Sequence, residues 1–582
     1  MPGRTFRGSS IRGSSFDVAV ADGEMYVLAK GEGRRAKEMA MRRKKLARLL
    51  WKLRVVRRSC PSSDPVLLRI GAGHAPGFVK ISLLTPRESV IRESFLLRSN
   101  RWARIRRRSR AGRANRVYAQ DVRGFLLAMI ASASALAESP CAGCHPKEEA
   151  AYRRSPMGRS LMPVKTRGKA SFTRAGMDMT VDGARHEIRK GQLSAQHTAA
   201  WQIGSGSHAA GFLTSISGAL YQSPFAYYSG KELWDVAPGY EALPQIDFNR
   251  RVTPECLGCH ASGPPGSPRA IDCDRCHGEG NAHAIRPSKT NIVNPSKLAP
   301  IERVGVCEQC HLTGVARIPQ PGAAPFAPGG RLEDSLAIFV QSTKDLKVVS
   351  HVEQLALAKC GPNLVCATCH NPHGETVNID SKCTACHTVQ RAGHAPSGCA
   401  QCHMPKRGAA DGLHTAFTDH RIAKPNQFHR VDSVLRAWRS APNADRNEGL
   451  ARFATGDMQG AFRQLTAAYA RHPKDPELLA SLGFILFLKD QQADAVKLIE
   501  AAISERREHA PYYQKLAIVQ RARGDGARAA AALESAIRFD PLDETNYHLL
   551  AELQPAKRRE ILGRYLRIHP QHFATREALA RP

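Results

Sequence analysis

The sequence predicts a mainly α protein in two parts: a cysteine- and histidine-rich region with little regular structure and a small β insertion, followed by an α-solenoid of helix pairs. Three observations support this. Seven Cys-x-x-Cys-His motifs lie between residues 141 and 403, Gly-punctuated β-like runs separate the first motif from the second, and residues 442–582 contain no cysteine and repeat every 34 residues. A length of 582 residues with 42% apolar side chains allows several real cores, which excludes a collagen-like or wholly disordered protein.

The positive charge of the chain is concentrated at its start. The formal net charge is +33, and residues 1–121 alone carry +20 of it, with the densest run at 101–110. Such a run is compatible with a basic arm for nucleic acid or anionic lipid, and equally with a disordered tail. The segment that follows favours a third interpretation.

Residues 122–137 have the pattern of a secretory signal peptide: one basic residue, a short apolar run, and Ala135-Leu136-Ala137 at its end. The run is too short to span a bilayer, so no transmembrane span is predicted. Because signal peptides stand at the start of a chain, we expect the true initiator near Val122, with residues 1–121 a basic leader that is disordered or not translated. The alternative is an apolar core helix behind a real N-terminal domain. A signal peptide predicts export to the periplasm.

Fourteen of the sixteen cysteines belong to seven copies of Cys-x-x-Cys-His, which is the attachment signature of c-type haem. Two thiols three residues apart reach the two vinyl groups of one porphyrin, and the adjacent imidazole becomes the proximal ligand of its iron. The cysteines predicted to hold seven covalent haems are Cys141, Cys144, Cys256, Cys259, Cys273, Cys276, Cys307, Cys310, Cys366, Cys369, Cys383, Cys386, Cys399 and Cys402. The predicted proximal iron ligands are His145, His260, His277, His311, His370, His387 and His403.

Other uses of cysteine explain the motifs less well. Zinc sites pair one Cys-x-x-Cys with a second ligand group and need no histidine directly after it. A redox dithiol needs a single motif, and a disulfide framework has no use for the repeated histidine. Chance placement would give on the order of 0.02 copies. Export agrees with haem, because covalent haem attachment in bacteria takes place outside the cytoplasm.

Ten further histidines in the same region are candidate second axial ligands, and seven six-coordinate irons would need seven of them. Irons with two histidine ligands have no open site and transfer electrons, whereas five-coordinate irons bind and transform small molecules. The candidates near motifs or in loops suited to reach a haem are His208, His283, His351, His373, His394, His414 and His420. His186, His197 and His429 complete the ten.

Three features near the motifs refine this set. Pro372 stiffens the turn that follows His370, so His373 is placed to reach a neighbouring haem. Met157, shortly after the first motif, is either a thioether ligand that would raise the potential of that haem or a core filler. Cys360 is either a buried thiol or a ligand.

Residues 141–160, the close pair of motifs that begin at Cys256 and Cys273, and residues 366–373 and 399–405 carry a resemblance to a known family. They resemble bacterial multihaem c-type cytochromes of the cytochrome c-552/c-554 and doubled-CXXCH-motif type, relatives of the nitrite reductase and hydroxylamine oxidoreductase superfamily. The resemblance implies a multihaem cytochrome c domain over residues 138–430.

This chain departs from those relatives in three places. They commonly carry a histidine in an S-x-H segment where this chain has Ser155-Pro156-Met157. The C-x-x-C-K motif of the catalytic haem in the nitrite reductases does not occur. Nothing marks the cross-linking tyrosine of the hydroxylamine enzymes, although Tyr227 and Tyr228 stay open for that role.

The segment 169–240 contains no haem motif and is predicted to be a small antiparallel β insertion. Its β-like runs are 177–181, 211–216, 224–228 and 232–236. After it, six motifs fall within residues 253–405, with Pro- and Gly-rich loops between them. Such a segment cannot build a large side-chain core, so porphyrins are expected to supply much of it and folding is expected to depend on haem attachment.

The repeat of residues 442–582 has the 34-residue period of the tetratricopeptide repeat (TPR). Small residues recur at three positions because paired helices cross closely, and a shortened fourth unit over 543–570 is expected to cap the array. These residues are Gly449, Gly483 and Ala517, then Ala461, Ala495 and Ala529, then Ala468, Ala502 and Ala536. A TPR array offers a surface for a partner's peptide or helix, although such arrays also serve as plain structural extensions.

The sequence therefore predicts an exported heptahaem cytochrome that relays electrons and docks redox partner proteins through its TPR repeats. The alternative is an oxidoreductase that reduces or oxidises small nitrogen or sulfur species at a five-coordinate haem, and a third possibility is a scaffold whose haems are structural. No nucleic-acid partner is predicted. Without residues 1–137 the charge falls to +12, and the propionates of seven haems would bring about −14.

Overall fold

The computed structural model describes residues 141–580 except 244, 264–267, 375, 389–396 and 425–432, together with the backbone of six strands near the start. The chain divides into two compact units, Met1–Ala137 and Glu138–Pro582. The strands of the first unit are β1 (Thr5–Arg7), β2 (Ser15–Ala21), β3 (Glu24–Lys30), β4 (Leu67–Ala72), β5 (Phe78–Leu84) and β6 (Ser94–Arg98), in one sheet of order β1-β2-β3-β6-β5-β4. The expected signal peptide, 122–137, lies outside the described residues. That residues 1–121 are not translated stays a prediction.

The second unit begins with a helix and an eight-stranded antiparallel sheet of order β14-β13-β12-β11-β10-β9-β8, in which β7 pairs with β11. Its elements are α1 (Pro146–Arg154), β7 (Leu161–Pro163), β8 (Lys169–Arg174), β9 (Met177–Asp182), β10 (Arg185–Lys190), β11 (Leu193–Ile203), β12 (Ala209–Ile216), β13 (Ala219–Tyr228) and β14 (Leu233–Val236). The β prediction for 169–240 is confirmed in kind, but the sheet starts earlier and this part of the chain is sheet-rich. The expectation of only a small β insertion is therefore wrong.

Local sequence explains the hairpins of this sheet. β9 alternates buried and exposed side chains and buries Met177, Met179 and Val181, which is the period of a half-buried strand. Two-residue turns join β8 to β9 and β12 to β13, and both turn residues have positive φ, as in Ser217 (49°) and Gly218 (87°). Turns of that kind match the twist of paired strands, and glycine adopts them without strain.

The sheet curls until its first and last strands in space touch. Arg174 of β8 donates from Nε to Oδ1 of Asp235 in β14 over 2.7 Å, and this ion pair closes the seam. Inside, Phe225, Tyr228 and Phe248 are fully buried in a single apolar core. The second unit therefore has a substantial side-chain core next to its cysteine-rich part.

The cysteine-rich part consists of short helices and two small sheets. Its elements are α2 (Pro254–His260), α3 (Asp274–His277), α4 (Asn281–Ile285), α5 (Pro300–His311), β15 (Ala316–Pro319), α6 (Leu332–Ser335), β16 (Leu336–Val340), α7 (His351–Ala356), α8 (Cys366–Cys369), α9 (Ile379–Thr384), α10 (Cys399–His403), β17 (Lys406–Ala409), β18 (Gly412–Thr418) and β19 (Arg436–Ala437). Its apolar core is small, built on Leu312, Leu332, Ile338 and Val352. This agrees with the expectation that side chains alone cannot fill the region.

The C-terminal part is a solenoid of antiparallel helix pairs, as predicted. Its helices are α11 (Ala444–Ala454), α12 (Met458–Tyr469), α13 (Pro476–Leu488), α14 (Gln492–Glu505), α15 (Ala510–Ala522), α16 (Gly526–Phe539), α17 (Glu544–Leu553), α18 (Arg558–Ile568) and α19 (Phe573–Ala580). The small residues mark close crossings: a Cβ on Gly449 would lie 2.5 Å from Leu465, and one on Gly483 would lie 2.9 Å from Ile499. Within the described residues, no helix combines the length and apolar character needed to cross a membrane.

Candidate haem-binding region

Each described Cys-x-x-Cys-His motif forms a helical turn or ends a short helix. The amide of the histidine donates to the carbonyl of the first cysteine in His145 (2.8 Å), His277 (2.9 Å), His370 (3.0 Å) and His387 (3.0 Å). Residues three apart in a helical turn share one face, so the two thiols of a motif point to the same side. This is the arrangement that two neighbouring vinyl groups require.

Thiols of different motifs lie against one another. Cys310 Sγ lies 3.9 Å from Gly258 O and Cys259 Sγ lies 3.9 Å from Gln309 O. The neighbouring thiols of Cys259 and Cys366 raise the pKa of Cys310 and Cys307, respectively. Burial, together with the neighbouring Cys141 thiol, raises the pKa of Cys273 to about 12. The second motif therefore touches the fourth, the fourth touches the fifth, and the first touches the third.

Thiols of the remaining motifs also affect one another. The neighbouring Cys276 thiol also raises the pKa of Cys307. Burial raises the pKa of Cys383, and the thiols of Cys399 and Cys369 raise it further in the same way. The motifs whose thiols affect one another's pKa are the first and third, the third and fourth, the second and fourth, the fourth and fifth, the fifth and sixth, and the sixth and seventh. All fourteen motif cysteines are free thiols in this structure.

Two pairs of histidines have the separation that a shared iron requires. The ring centroids of His277 and His373 are 6.0 Å apart with an interplanar angle of 11°, and those of His370 and His420 are 6.2 Å apart with an angle of 26°. With metal–nitrogen bonds of about 2 Å, two imidazoles on opposite sides of one iron have centroids roughly 6 to 6.5 Å apart. His373 thus lies where a ligand from the fifth motif would serve the haem of the third.

Backbone carbonyls orient several of these rings. Nδ1 donates to Val293 O in His277 (2.8 Å), to Ala423 O in His403 (2.8 Å) and to Thr418 O in His420 (2.9 Å). A carbonyl only accepts, so the proton is on Nδ1 and the lone pair of Nε2 is available to a metal. This hydrogen bond is the usual outer support of a metal-bound histidine.

His351 lies at the centre of a group of imidazoles. Its ring contacts His311 at 5.6 Å and His420 at 4.8 Å, both edge to face. Burial lowers the pKa of His351 to about 3, and its buried Nδ1 has no hydrogen-bond partner among the described residues. The proximal histidines of the fourth and fifth motifs and two candidate second ligands are therefore collected in one place.

The other candidates near motifs are placed less decisively. His208 packs on Phe417 at 4.5 Å and lies close enough to lower the pKa of His351. His283 bonds through Nδ1 to Asn291 Oδ1 at 3.0 Å. His394 and His429 lie outside the described residues. Their roles as ligands stay predictions.

Three candidate histidines serve the eight-stranded sheet instead. Nε2 of His414 bonds to Asp235 Oδ2 over 2.8 Å at the seam. His186 is fully buried, and its Nδ1 bonds to Ser223 Oγ over 2.8 Å. His197 packs on the Phe248 ring at 4.6 Å. Sequence reasoning treated them as possible ligands because a core histidine and a ligand look the same in a sequence.

Met157 and Cys360 are both half-buried. Met157 begins a single 3-10 turn, Met157–Arg159. Cys360 is close enough to raise the pKa of Cys369. Of the two tyrosines left open, Tyr228 is fully buried and donates to Val236 O over 2.7 Å.

One contact was not foreseen. Glu308, inside the fourth motif, is fully buried and accepts from Arg439 at 2.6 Å and from Trp438 Nε1 at 3.1 Å. The two variable positions of a Cys-x-x-Cys-His motif carry no constraint from haem attachment, so no pattern in the sequence indicates this ion pair.

The motif residues have the arrangement that covalent haem requires. In the described part of the chain, no group of three or more histidine, cysteine, aspartate or glutamate side chains is arranged to hold a metal ion. A c-type haem needs fewer side chains at its iron than a metal ion does, because it is held by two thiols and by one or two axial ligands. The thiol placement, the two histidine separations and the Nδ1 hydrogen bonds meet that demand.

Comparison with known proteins identifies the C-terminal part only. A tetratricopeptide-repeat family model matches residues 452–518, and no cytochrome c or haem-binding family was matched. The cellulose synthase operon protein C of Xanthomonas axonopodis pv. citri is 30% identical over 117 residues, or 19% of this chain and 8% of that protein. The chain therefore spans less than a tenth of the length of that curated relative.

Similar solved structures cover a comparable fraction of the chain. A crystal structure of MamA protein is 21% identical, with 22% of this chain and 72% of that chain covered and a TM-score of 0.20. A Thermobaculum terrenum O-GlcNAc transferase mutant is 19% identical, with 22% and 27% covered and a TM-score of 0.21. The family match and the helix pairs together identify the C-terminal part as TPR repeats.

Proposed function

We propose that this chain is an exported, periplasmic heptahaem c-type cytochrome that mediates electron transfer and carries a TPR protein-interaction module. The observation that supports it most strongly is the presence of seven Cys-x-x-Cys-His motifs, of which the second lies against the fourth, with Cys310 Sγ 3.9 Å from the carbonyl of Gly258. Cofactors attached to such neighbours lie close together. Bound haem supplies a one-electron iron couple at each motif.

Three kinds of side chain would hold these haems: the paired thiols, the adjacent histidines and the second histidine ligands. The paired thiols fix each porphyrin, and the adjacent histidine approaches its iron. His373 and His420 are the best-placed second ligands, since their rings stand 6.0 Å from His277 and 6.2 Å from His370. Two histidines leave an iron no open position, which favours electron transfer over catalysis.

The TPR module is proposed to bring redox partner proteins to this series. Protein–protein interaction is the usual role of TPR repeats, and the repeats here form complete helix pairs. The identity of the donor and the acceptor does not follow from the repeats.

A second candidate function is oxidoreduction of small nitrogen or sulfur species at one five-coordinate haem. The observation that favours it is Met157, which stands where related cytochromes commonly have a histidine. A haem of the first motif without a second histidine would either take the thioether or keep an open position.

Optical and EPR spectra of the mature protein separate the two candidates. The electron-transfer proposal expects low-spin signals from all seven haems. A high-spin signal from one haem that binds cyanide or nitric oxide would favour the enzyme. Fewer than seven haems per chain would contradict both.

A further inference from the structure

The TPR solenoid is attached to the rest of the second unit at both of its ends. At its start, helix α11 packs on strands β15 and β16. Leu450 and Ala451 of the helix share one buried core with Ile318 and Phe339 of the strands. The first helix pair is therefore covered by the chain itself.

Polar contacts fix this first attachment. Arg446 is 3% exposed, donates from Nε to Asp475 Oδ2 over 2.8 Å and from Nη1 to the carbonyl of Pro319 over 3.0 Å. The residues that lead into the helix hold the buried Glu308 of the fourth motif, with Arg439 donating at 2.6 Å. The segment that leads into the solenoid is thus bonded to the fourth Cys-x-x-Cys-His motif.

At its other end the solenoid inserts an aromatic side chain into the eight-stranded sheet. Phe573, the first residue of α19, is fully buried in the core that includes Phe225, Tyr228 and Phe248. Its amide donates to Asp247 Oδ2 over 2.6 Å, and His569 Nε2 donates to the carbonyl of Phe248 over 2.9 Å.

Charged and polar contacts surround this second attachment on the surface. They fall at two separate places, the hairpin of β10 and β11 and the segment at Arg251 beside β13, so the contact is a surface rather than a single point. The contacts are Arg251 with Asp540 (2.7 Å), Lys190 with Glu577 (3.0 Å) and Arg576 with the carbonyl of Ser194 (2.7 Å).

We propose that the TPR solenoid is an intramolecular brace: its two end surfaces are occupied by this chain itself, one at the fourth haem motif and one at the eight-stranded sheet. In a solenoid each repeat contacts only its neighbours, so a solenoid fixed at both ends sets the separation of the two elements it joins. The brace holds whether or not the proposed haem function is correct, because the contacts involve no cofactor. It limits any external partner to the middle repeats.

Hydrogen exchange followed by mass spectrometry on the full-length protein tests the brace. Phe573→Ala removes the buried anchor, while Ile499→Ala truncates a fully buried side chain whose core lies entirely within the solenoid. With a brace, Phe573→Ala speeds exchange roughly tenfold or more both in α17 to α19 and in residues 245–248 and β11 of the sheet. Ile499→Ala leaves exchange in the sheet unchanged.

The proposal is overturned if Phe573→Ala speeds exchange only within α19, or if the two variants affect the sheet equally. Phe573→Leu keeps an apolar anchor and guards against a variant that does not fold. In this variant the exchange rate in the same segments is expected to rise by a smaller factor. If the exchange rate there equals that of the unchanged protein, the result counts against the brace.

Discussion

At the scale of single residues, the hydrogen bonds of the imidazole rings distinguish a candidate iron ligand from a histidine that supports the sheet. The carbonyl of Thr418 holds the Nδ1 proton of His420, so Nε2 carries no proton, and the ring centroid of His370 lies 6.2 Å away. His414, only six residues earlier, has its Nε2 bonded to Asp235. Two histidines that look equivalent in the sequence therefore receive different roles, because the fold supplies one with a carboxylate and the other with a proximal histidine.

Replacing His420 tests the proposed second ligand. His420→Ala is expected to convert one low-spin haem into a high-spin haem while the haem content stays the same, because the attachment thiols are untouched. EPR at low temperature measures this. His414→Ala is the control and should leave the spin state unchanged. A low-spin spectrum in the His420 variant would remove His420 from the ligand set.

Asp247, at the junction of the sheet and the solenoid, makes the free energy of unfolding depend on pH. Burial raises its pKa to about 7, although the amides of Phe573 and Phe248 oppose the shift, and Glu544, His572 and Arg576 face it. The folded state then holds this proton more tightly than the unfolded state, so the contribution of Asp247 to stability falls as pH rises from about 4 to about 7.

The same junction contains an opposing group. Burial lowers the pKa of His572 to about 3, so its contribution is lost as pH falls from about 6.5 toward 3. Asp247→Asn removes only the first effect. Urea unfolding at several pH values should therefore show the stability difference between the protein and this variant shrinking as pH rises from 4 to 7. A difference that is constant with pH would contradict the assignment.

At the scale of elements, the ion pair inside the fourth motif links helix α5 to the start of the solenoid. Arg439→Gln leaves the fully buried Glu308 without its charged partner, which is expected to cost about 3–5 kcal/mol of unfolding free energy. Adding Glu308→Gln should recover part of the loss. Chemical denaturation measures both, and an unchanged midpoint in the single variant would show that the pair is not an anchor.

The helix pairs of the solenoid depend on small residues where they cross. Gly483→Ala would place a Cβ 2.9 Å from Ile499 and 3.1 Å from the carbonyl of Ala495, so a loss of about 1–3 kcal/mol is expected. Gly526→Ala is the matched control, because its Cβ would meet nothing within 4 Å. Thermal unfolding should separate the two. Equal effects would mean that the crossing is looser than its geometry indicates.

Elements with a strong local pattern could be predicted from the sequence, and elements made by distant pairing could not. The alternation in β9 and the spacing of Gly449, Gly483 and Ala517 each carry their own period. Strands β15, β16 and β19 are short, and β16 pairs with β19 across about 100 positions, as in Phe339 with Ala437. No local period in the sequence indicates such a sheet, so the surface on which the solenoid packs could not be predicted.

At the scale of the whole molecule, the second unit consists of a curled sheet, a cysteine-rich part with little core of its own, and a solenoid bonded to both. The motifs can be recognised in the sequence because their spacing is fixed, and the haem they are proposed to hold stays a prediction. The arrangement of the motifs in space could not be predicted, since it depends on contacts such as Cys259 with Cys310, 51 residues apart. The solenoid is proposed to dock other proteins, and its two ends pack against this chain.

The central claim is that the exported chain carries seven covalent haems. Intact mass spectrometry of the protein purified from the periplasm of a host able to attach c-type haem tests it most directly. We expect a chain that begins at Glu138 and is heavier than its polypeptide by seven haems. A Cys399→Ser and Cys402→Ser variant, which lacks one motif, should be lighter by one haem. A mature chain with the mass of the bare polypeptide would contradict it.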